Sequence, residues 1–230
     1  MLPLTRDECR VLGVLVEKAL TTPAQYPLTL NSLVLACNQK NNRDPVTNLS
    51  EERVFDAIDG LRKKSLVREA MLSGSRVSKF RHVARETLGV STEELVILTE
   101  LLLRGPQAIG ELRAHASRMH PLDSIEQTQS LINGLCSRSV PTGPLLKEIH
   151  PAPGQRAKRY VQLLCPDLHP LDAPHHGSLL DSDTTVDAAP PGPASPALEQ
   201  RIASLESEVQ QLKLAVRRLA ASLGESDPIS

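Results

Sequence analysis

Aromatic side chains are almost absent: two Phe, two Tyr and no Trp among 230 residues. A core must therefore be built from Leu, Val, Ile and Ala, which suits helix packing. The same scarcity argues against single-stranded RNA as a ligand, since base stacking dominates its recognition. No apolar run approaches the roughly 18 residues a membrane span needs, and the opening MLPLTRDECR lacks the basic-then-apolar pattern of a secretory leader. Cys9, Cys37, Cys136 and Cys165 are scattered, with no CxxC pair, so neither a zinc knuckle nor a disulfide framework is expected and a reducing cytoplasm is the expected setting. There is no Gly-rich phosphate loop, no HExxH and no GxSxG. No catalytic residue, cofactor or metal ligand is expected, and the chain does not read as an enzyme. His169, His175 and His176 cluster only where the chain fixes no geometry, and Cys37 lies on an apolar stripe, as a buried thiol would.

What is present is unevenly distributed. Residues 1–85 hold 14 Lys/Arg against 9 Asp/Glu, residues 86–169 hold 8 against 9, and residues 170–230 hold 4 against 9. Only the first third could attract a polyanion.

Thr5-Arg6-Asp7-Glu8 fits a capping box, and Leu12, Leu15, Val16 and Ala19 then recur on one helical face to about Leu20. Pro23 and Pro27 force an extended link. Thr29 caps a short helix with Leu30, Leu33, Val34 and Cys37 inward. After the polar loop from Asn38 to Pro45, Ser50 caps a third helix with Val54, Ile58 and Leu61 inward. Leu66–Leu72 and Val77–Val83 read as a hairpin. The pattern returns from the second capping box at Ser91–Glu94, through a helix opening at Gly110 and another over Ser124–Leu135, to strands at Leu145–Ile149 and Ala157–Leu163. Phe80 falls over Tyr160, a repeat of about 80 residues. Three helices and a hairpin make a winged helix. The expected fold is thus mainly α with small β-wings (α+β), in two tandem winged-helix domains over 1–86 and 87–168. Residues 169–196, rich in Pro, Asp and small polar side chains, read as a disordered linker. Over 197–224, Leu198, Ile202, Leu205, Val209, Leu212, Val216, Leu219 and Leu223 follow gaps of four and three. Branched residues at a and Leu at d favour a parallel two-stranded coil and hence a homodimer; the same helix could instead fold back on its own domains.

The run Glu17-Lys18, Thr21-Thr22-Pro23, Gln25-Tyr26-Pro27-Leu28, Ala36-Cys37-Asn38-Gln39-Lys40, Asn42-Arg43, Pro45-Val46 and Asn48-Leu49-Ser50 is similar to the YceH family of bacterial proteins. Leu101–Gly105, Glu111-Leu112-Arg113 and Arg118-Met119 match its second half. The resemblance covers about residues 4 to 164. It implies tandem winged helices in a family without an established activity. His115 and Leu122 stand where the family pattern has Arg and Phe, which weakens any basic contact surface in the second repeat.

Two groups of residues are candidates for contact with double-stranded DNA. Asn38, Gln39, Lys40, Asn42 and Arg43 could meet phosphates or base edges, or could instead satisfy backbone groups of their own loop. Arg62, Lys63, Lys64, Arg68, Arg76, Lys79 and Arg81 could grip phosphates without reading sequence. The third helix, the expected groove reader, shows Glu51, Glu52, Arg53, Asp56 and Asp59 outward, a mainly acidic face that repels a phosphate backbone. The reading from sequence is a non-enzymatic, dimeric DNA-binding or transcription-associated regulator. The alternative is a winged-helix scaffold for an unknown protein partner.

Overall fold

The computed structural model describes residues 3–70, 77–139, 143–149, 157–165 and 168. The hairpin tips, Arg76, the 169–196 linker, the three clustered histidines and the 197–224 heptads lie outside the described residues.

Both sequence-level caps nucleate helices. In α1 (Arg6–Thr21) the Glu8 N–H donates to Thr5 Oγ1 at 3.2 Å, and the Thr5 N–H donates back to the Glu8 carboxylate at 2.7 Å. The strand β1 (Leu28–Thr29) then leads into α2 (Leu30–Cys37), capped by the Thr29 hydroxyl. Ser50 caps α3 (Glu51–Lys63), and β2 (Val67–Ala70) and β3 (Lys79–His82) follow. A single-turn α4 (Ala84–Leu88) ends on Gly89, whose φ of 62° suits a residue without a Cβ. The order then repeats: α5 (Thr92–Arg104) behind the Ser91/Glu94 box, β4 (Gln107–Ala108), α6 (Ile109–Ala116), α7 (Ile125–Ser137), β5 (Leu146–Ile149) and β6 (Arg159–Gln162).

The architecture is mixed α+β, with two small antiparallel sheets among the described residues, ordered β1-β3-β2 and β4-β6-β5. Their registers coincide. Phe80 lies between Leu28 and Glu69, and Tyr160 lies between Gln107 and Glu148. The 80-residue offset between the two aromatics is thus a structural repeat. The short strands β1 and β4 have no signature in the sequence, because two residues cannot display an alternation.

The repeats share one hydrophobic core. The sequence pattern gives α1 a single apolar face; in the structure every residue from Glu8 to Glu17 is buried, as is every residue of α5 from Leu95 to Leu103. The reason is that α1 packs on its own repeat with one face and on α5 with another. Gly13 marks a close approach: a Cβ there would stand 2.8 Å from Leu103 Cδ2. Among the described residues no helix is long and apolar enough to cross a membrane.

Candidate nucleic-acid interface

The polar loop after α2 turns largely inward. The Asn38 side chain imitates a strand partner, donating from Nδ2 to the Leu49 carbonyl (2.9 Å) and accepting the Leu49 N–H at Oδ1 (2.7 Å). Thr47 Oγ1 donates to the Cys37 carbonyl at 3.0 Å and so closes the loop. Arg43 is buried. Its guanidinium donates to both Glu17 oxygens (3.1 and 2.6 Å), to the carbonyls of Asn42 and Ala36, and to Gln39 Oε1. Gln39 Oε1 also accepts from Lys18 Nζ at 3.2 Å. Asn42 takes the left-handed φ of 59°, tolerable for Asn, and its Oδ1 accepts from Arg118 Nη1 of the second repeat at 2.9 Å. Only Gln39 and Lys40 of the five predicted contacts are exposed. The loop is therefore chiefly a clasp joining α1, α2 and the second repeat.

Behind the clasp stand two buried glutamates with opposite behaviour. Glu17 and Glu100 each lie four residues before the end of their helix. Burial works against ionisation of Glu17, but the hydrogen bonds and charge of Arg43, with help from Lys18, outweigh it, and the carboxyl titrates below its ordinary 4.5. Glu100 has no such bidentate partner. Its Oε1 is 3.6 Å from Arg104 Nη1, 3.7 Å from His115 Nδ1 and 4.0 Å from Arg118 Nη2, none close enough to hydrogen-bond. Burial dominates and raises its pKa, opposed by Arg104 and Arg118 and assisted by Glu17. The folded protein thus holds the Glu100 proton more tightly than the unfolded chain does. The stability this contributes is complete below about pH 4.5 and is lost as pH rises through the folded pKa. Glu100→Gln should remove that loss. Thermal melts of wild type and variant from pH 4 to 8 should diverge as pH rises, with the variant the more stable; parallel curves would refute the assignment.

The basic groups of the first sheet and of α3 fall into two sets. At the end of α3, Lys63 pairs with Asp59 (2.7 Å) and Arg62 lies 3.5 Å from Glu69. Lys64 donates to both Glu8 oxygens (2.6 and 2.5 Å), so its charge is spent on tying α3 to α1. The sheet is different. Its inner face carries Val67, Glu69, Phe80 and His82, and its outer face carries Arg68, Lys79 and Arg81. Arg68 and Arg81 are direct cross-strand partners and both exposed. Such like-charge pairs oppose folding slightly. Among the described residues no carboxylate lies within ion-pair distance of Arg68, Lys79 or Arg81. In the second sheet Lys147 and Arg159 repeat two of these positions, but buried Val161 stands in the place of Arg81, and Glu148 pairs with Lys158 at 2.9 Å.

α3 turns Glu51, Glu52, Phe55 and Asp56 to solvent. Arg53, exposed on the same helix, is held by Asp7 through two hydrogen bonds of 2.9 Å. No sequence pattern points to Arg10 and Glu100 as buried polar groups, or to exposed Arg118 beside Glu100; the one visible signal is a carboxylate set within each apolar helix, at Glu17 and at Glu100.

A family model described as "Protein of unknown function, DUF480" matches residues 4–166, and the chain belongs to that family of bacterial proteins, which includes YceH. A UPF0502 protein of Burkholderia pseudomallei (strain 668) is 42% identical over 221 residues, covering 96% of this chain and 89% of the relative. The UPF0502 protein YceH of Salmonella paratyphi A (strain ATCC 9150 / SARB42) is 40% identical over 226 residues, covering 96% and 98%. YceH of Salmonella newport (strain SL254) stands at the same identity and coverage.

Proposed function

We propose that the two repeats are tandem winged helices, 1–86 and 87–168, and that the protein is a non-enzymatic, cytoplasmic DNA-binding regulator that pairs through the 197–224 helix. The observation that carries this reading is the outer face of the first sheet. Arg68, Lys79 and Arg81 stand there together, with no carboxylate to neutralise them among the described residues. A surface that gives up folding stability to gather like charges is suited to a polyanion. The acidic outward face of α3 argues against major-groove reading, so the contact expected is with the phosphate backbone. Lys40 is a further exposed cation of the predicted set, whereas Asn38, Asn42, Arg43 and Lys64 serve the clasp and the α1–α3 tie.

Fluorescence anisotropy of the full-length chain on random-sequence duplex across a salt series tests the reading. Affinity should fall linearly in log salt, and Lys79→Glu with Arg81→Glu should weaken it and reduce the slope by about one per lost phosphate contact. An unchanged slope in the double variant would refute the wing as the contact. By light scattering, a chain truncated after Ser195 should run as one copy and the full-length chain as two if the heptads pair two copies; the same number of copies in both would refute pairing through the heptads.

A second reading has its own support. Phe55 is 50% exposed on α3 amid Glu51, Glu52 and Asp56. An aromatic ringed by carboxylates suits a basic protein partner better than DNA. Absence of duplex binding even at low salt would favour that scaffold.

A further inference from the structure

A cavity of about 270 Å³ lies where α1, the 45–49 loop and the start of α3 meet α5. Three guanidinium groups line it, those of Arg6, Arg10 and Arg53, against one carboxylate, Asp7. Asp7 is already committed, since Arg53 Nε and Nη2 donate to its two oxygens. Arg10 is deeply buried, with 3% exposure. Its Nη2 donates to the Pro45 carbonyl at 2.5 Å, but among the described residues its Nη1 has no hydrogen-bond partner. A buried cationic donor left unpaired is costly, and native interiors rarely tolerate it without a ligand or water.

The electrostatics point the same way. Burial, then the neighbouring charge of Arg43, lowers the Arg10 pKa to about 10, against weaker support from Asp44 and Glu17. The remaining wall of the cavity is apolar, formed by Leu49 and Leu102, which are 3% and 2% exposed, with Pro45 and Leu168. A few convergent polar donors on an apolar wall are the usual make-up of a small-molecule site. The volume falls just under the roughly 300–1,000 Å³ of drug-sized pockets, which limits the occupant to something small.

We propose that this cavity binds a small organic oxyanion, a carboxylate or phosphate monoester on a short carbon skeleton. The Arg10 guanidinium donates to an anionic oxygen, and the carbon skeleton lies along Leu49 and Leu102. The guanidinium fork suits both oxyanions, since each offers two acceptor oxygens. Bound there, the anion joins α1 to the 45–49 loop and to α5, and so stabilises the junction between the repeats. The inference is independent of DNA binding, because none of Arg68, Lys79 or Arg81 lines the cavity.

Isothermal titration calorimetry of the full-length protein with succinate and, separately, with glycerol 3-phosphate tests it, in Tris chloride at constant ionic strength. The expected result is saturable binding at one site per chain for at least one of the two probes. The probe that binds more tightly identifies the carboxylate or the phosphate class. Arg10→Gln should weaken binding about tenfold or more, as expected for loss of a charge-assisted hydrogen bond. Should that variant fail to fold, Arg53→Gln serves in its place: Arg53 is an exposed side chain, and its removal frees the Asp7 carboxylate to repel the ligand. No saturable binding by either probe, or equal affinity in wild type and both variants, would overturn the proposal.

Discussion

Arg43→Met should be among the most destabilising single substitutions in the chain, lowering the free energy of unfolding by about 3–5 kcal/mol. The Arg43 side chain has no solvent exposure and that of Glu17 only 12%, so the variant leaves a carboxylate buried without its bidentate partner. The carbonyls of Ala36 and Asn42 lose a donor as well. Urea denaturation followed by circular dichroism measures the effect. Glu17→Gln in the Arg43→Met background should restore part of the loss, because a neutral amide is cheaper to bury than a lone charge. Additive single effects would mean that the pair is not coupled.

The same pair fixes a pH dependence. The Glu17 pKa is lower in the folded protein than in the unfolded chain, so its contribution is present above about pH 4.5 and is lost as pH falls through the folded value. This is the reverse of the Glu100 contribution. In the Arg43→Met variant the acid-side loss should be smaller than in wild type.

Gly13→Val should cost about 1–3 kcal/mol by overpacking the contact between the repeats. Leu103 Cγ and Cδ2 already stand 2.9 and 2.8 Å from where a Cβ would lie, and Leu103 is itself buried on α5. Helix propensity alone predicts the opposite sign, because Gly is a poor residue for a helix interior. The sign of the measured change therefore decides whether close approach of the helices or backbone freedom governs this position. Leu103→Ala should open the contact and make the valine less harmful in the double variant than in the single one. An improvement in stability on Gly13→Val alone would show that α1 and α5 are not in tight contact there.

Much of the local structure is legible in the chain. The hydroxyl–carboxylate spacings at Thr5/Glu8 and Ser91/Glu94 mark two helix starts, and Thr29, Ser50 and Ser124 cap three more. Capping depends on residues three apart in the chain, so it can be read without knowing the fold. Phe80 and Tyr160, two of only four aromatics, reveal the repeat because each sits at the same register of its sheet. The single-turn α4 and the two-residue strands escape such a reading, since elements so short carry no periodicity to detect.

The candidate site is less legible. Composition places Asn38, Asn42 and Arg43 at the surface, since most polar residues are exposed. Their partners are Leu49, Arg118 and Glu17, at separations of 11, 76 and 26 residues, and no local pattern encodes such pairings. By contrast Lys79 and Arg81 alternate about buried Phe80, so their shared face follows from strand periodicity alone.

By itself the sequence determined the helix starts, the repeat, the basic first third and the family to which the chain belongs, all of which depend on residues close in the chain or on matched runs. The tertiary structure decided which charges face solvent. Packing α1 against α5 buries both helices on every side, and the polar groups caught at that seam must then find partners or remain unpaired. Glu17 finds Arg43, while Glu100 Oε1 and Arg10 Nη1 find none within hydrogen-bonding distance among the described residues. Burial, set only by the assembled fold, is what turns the same side chains from solvated charges into clasps and a candidate site.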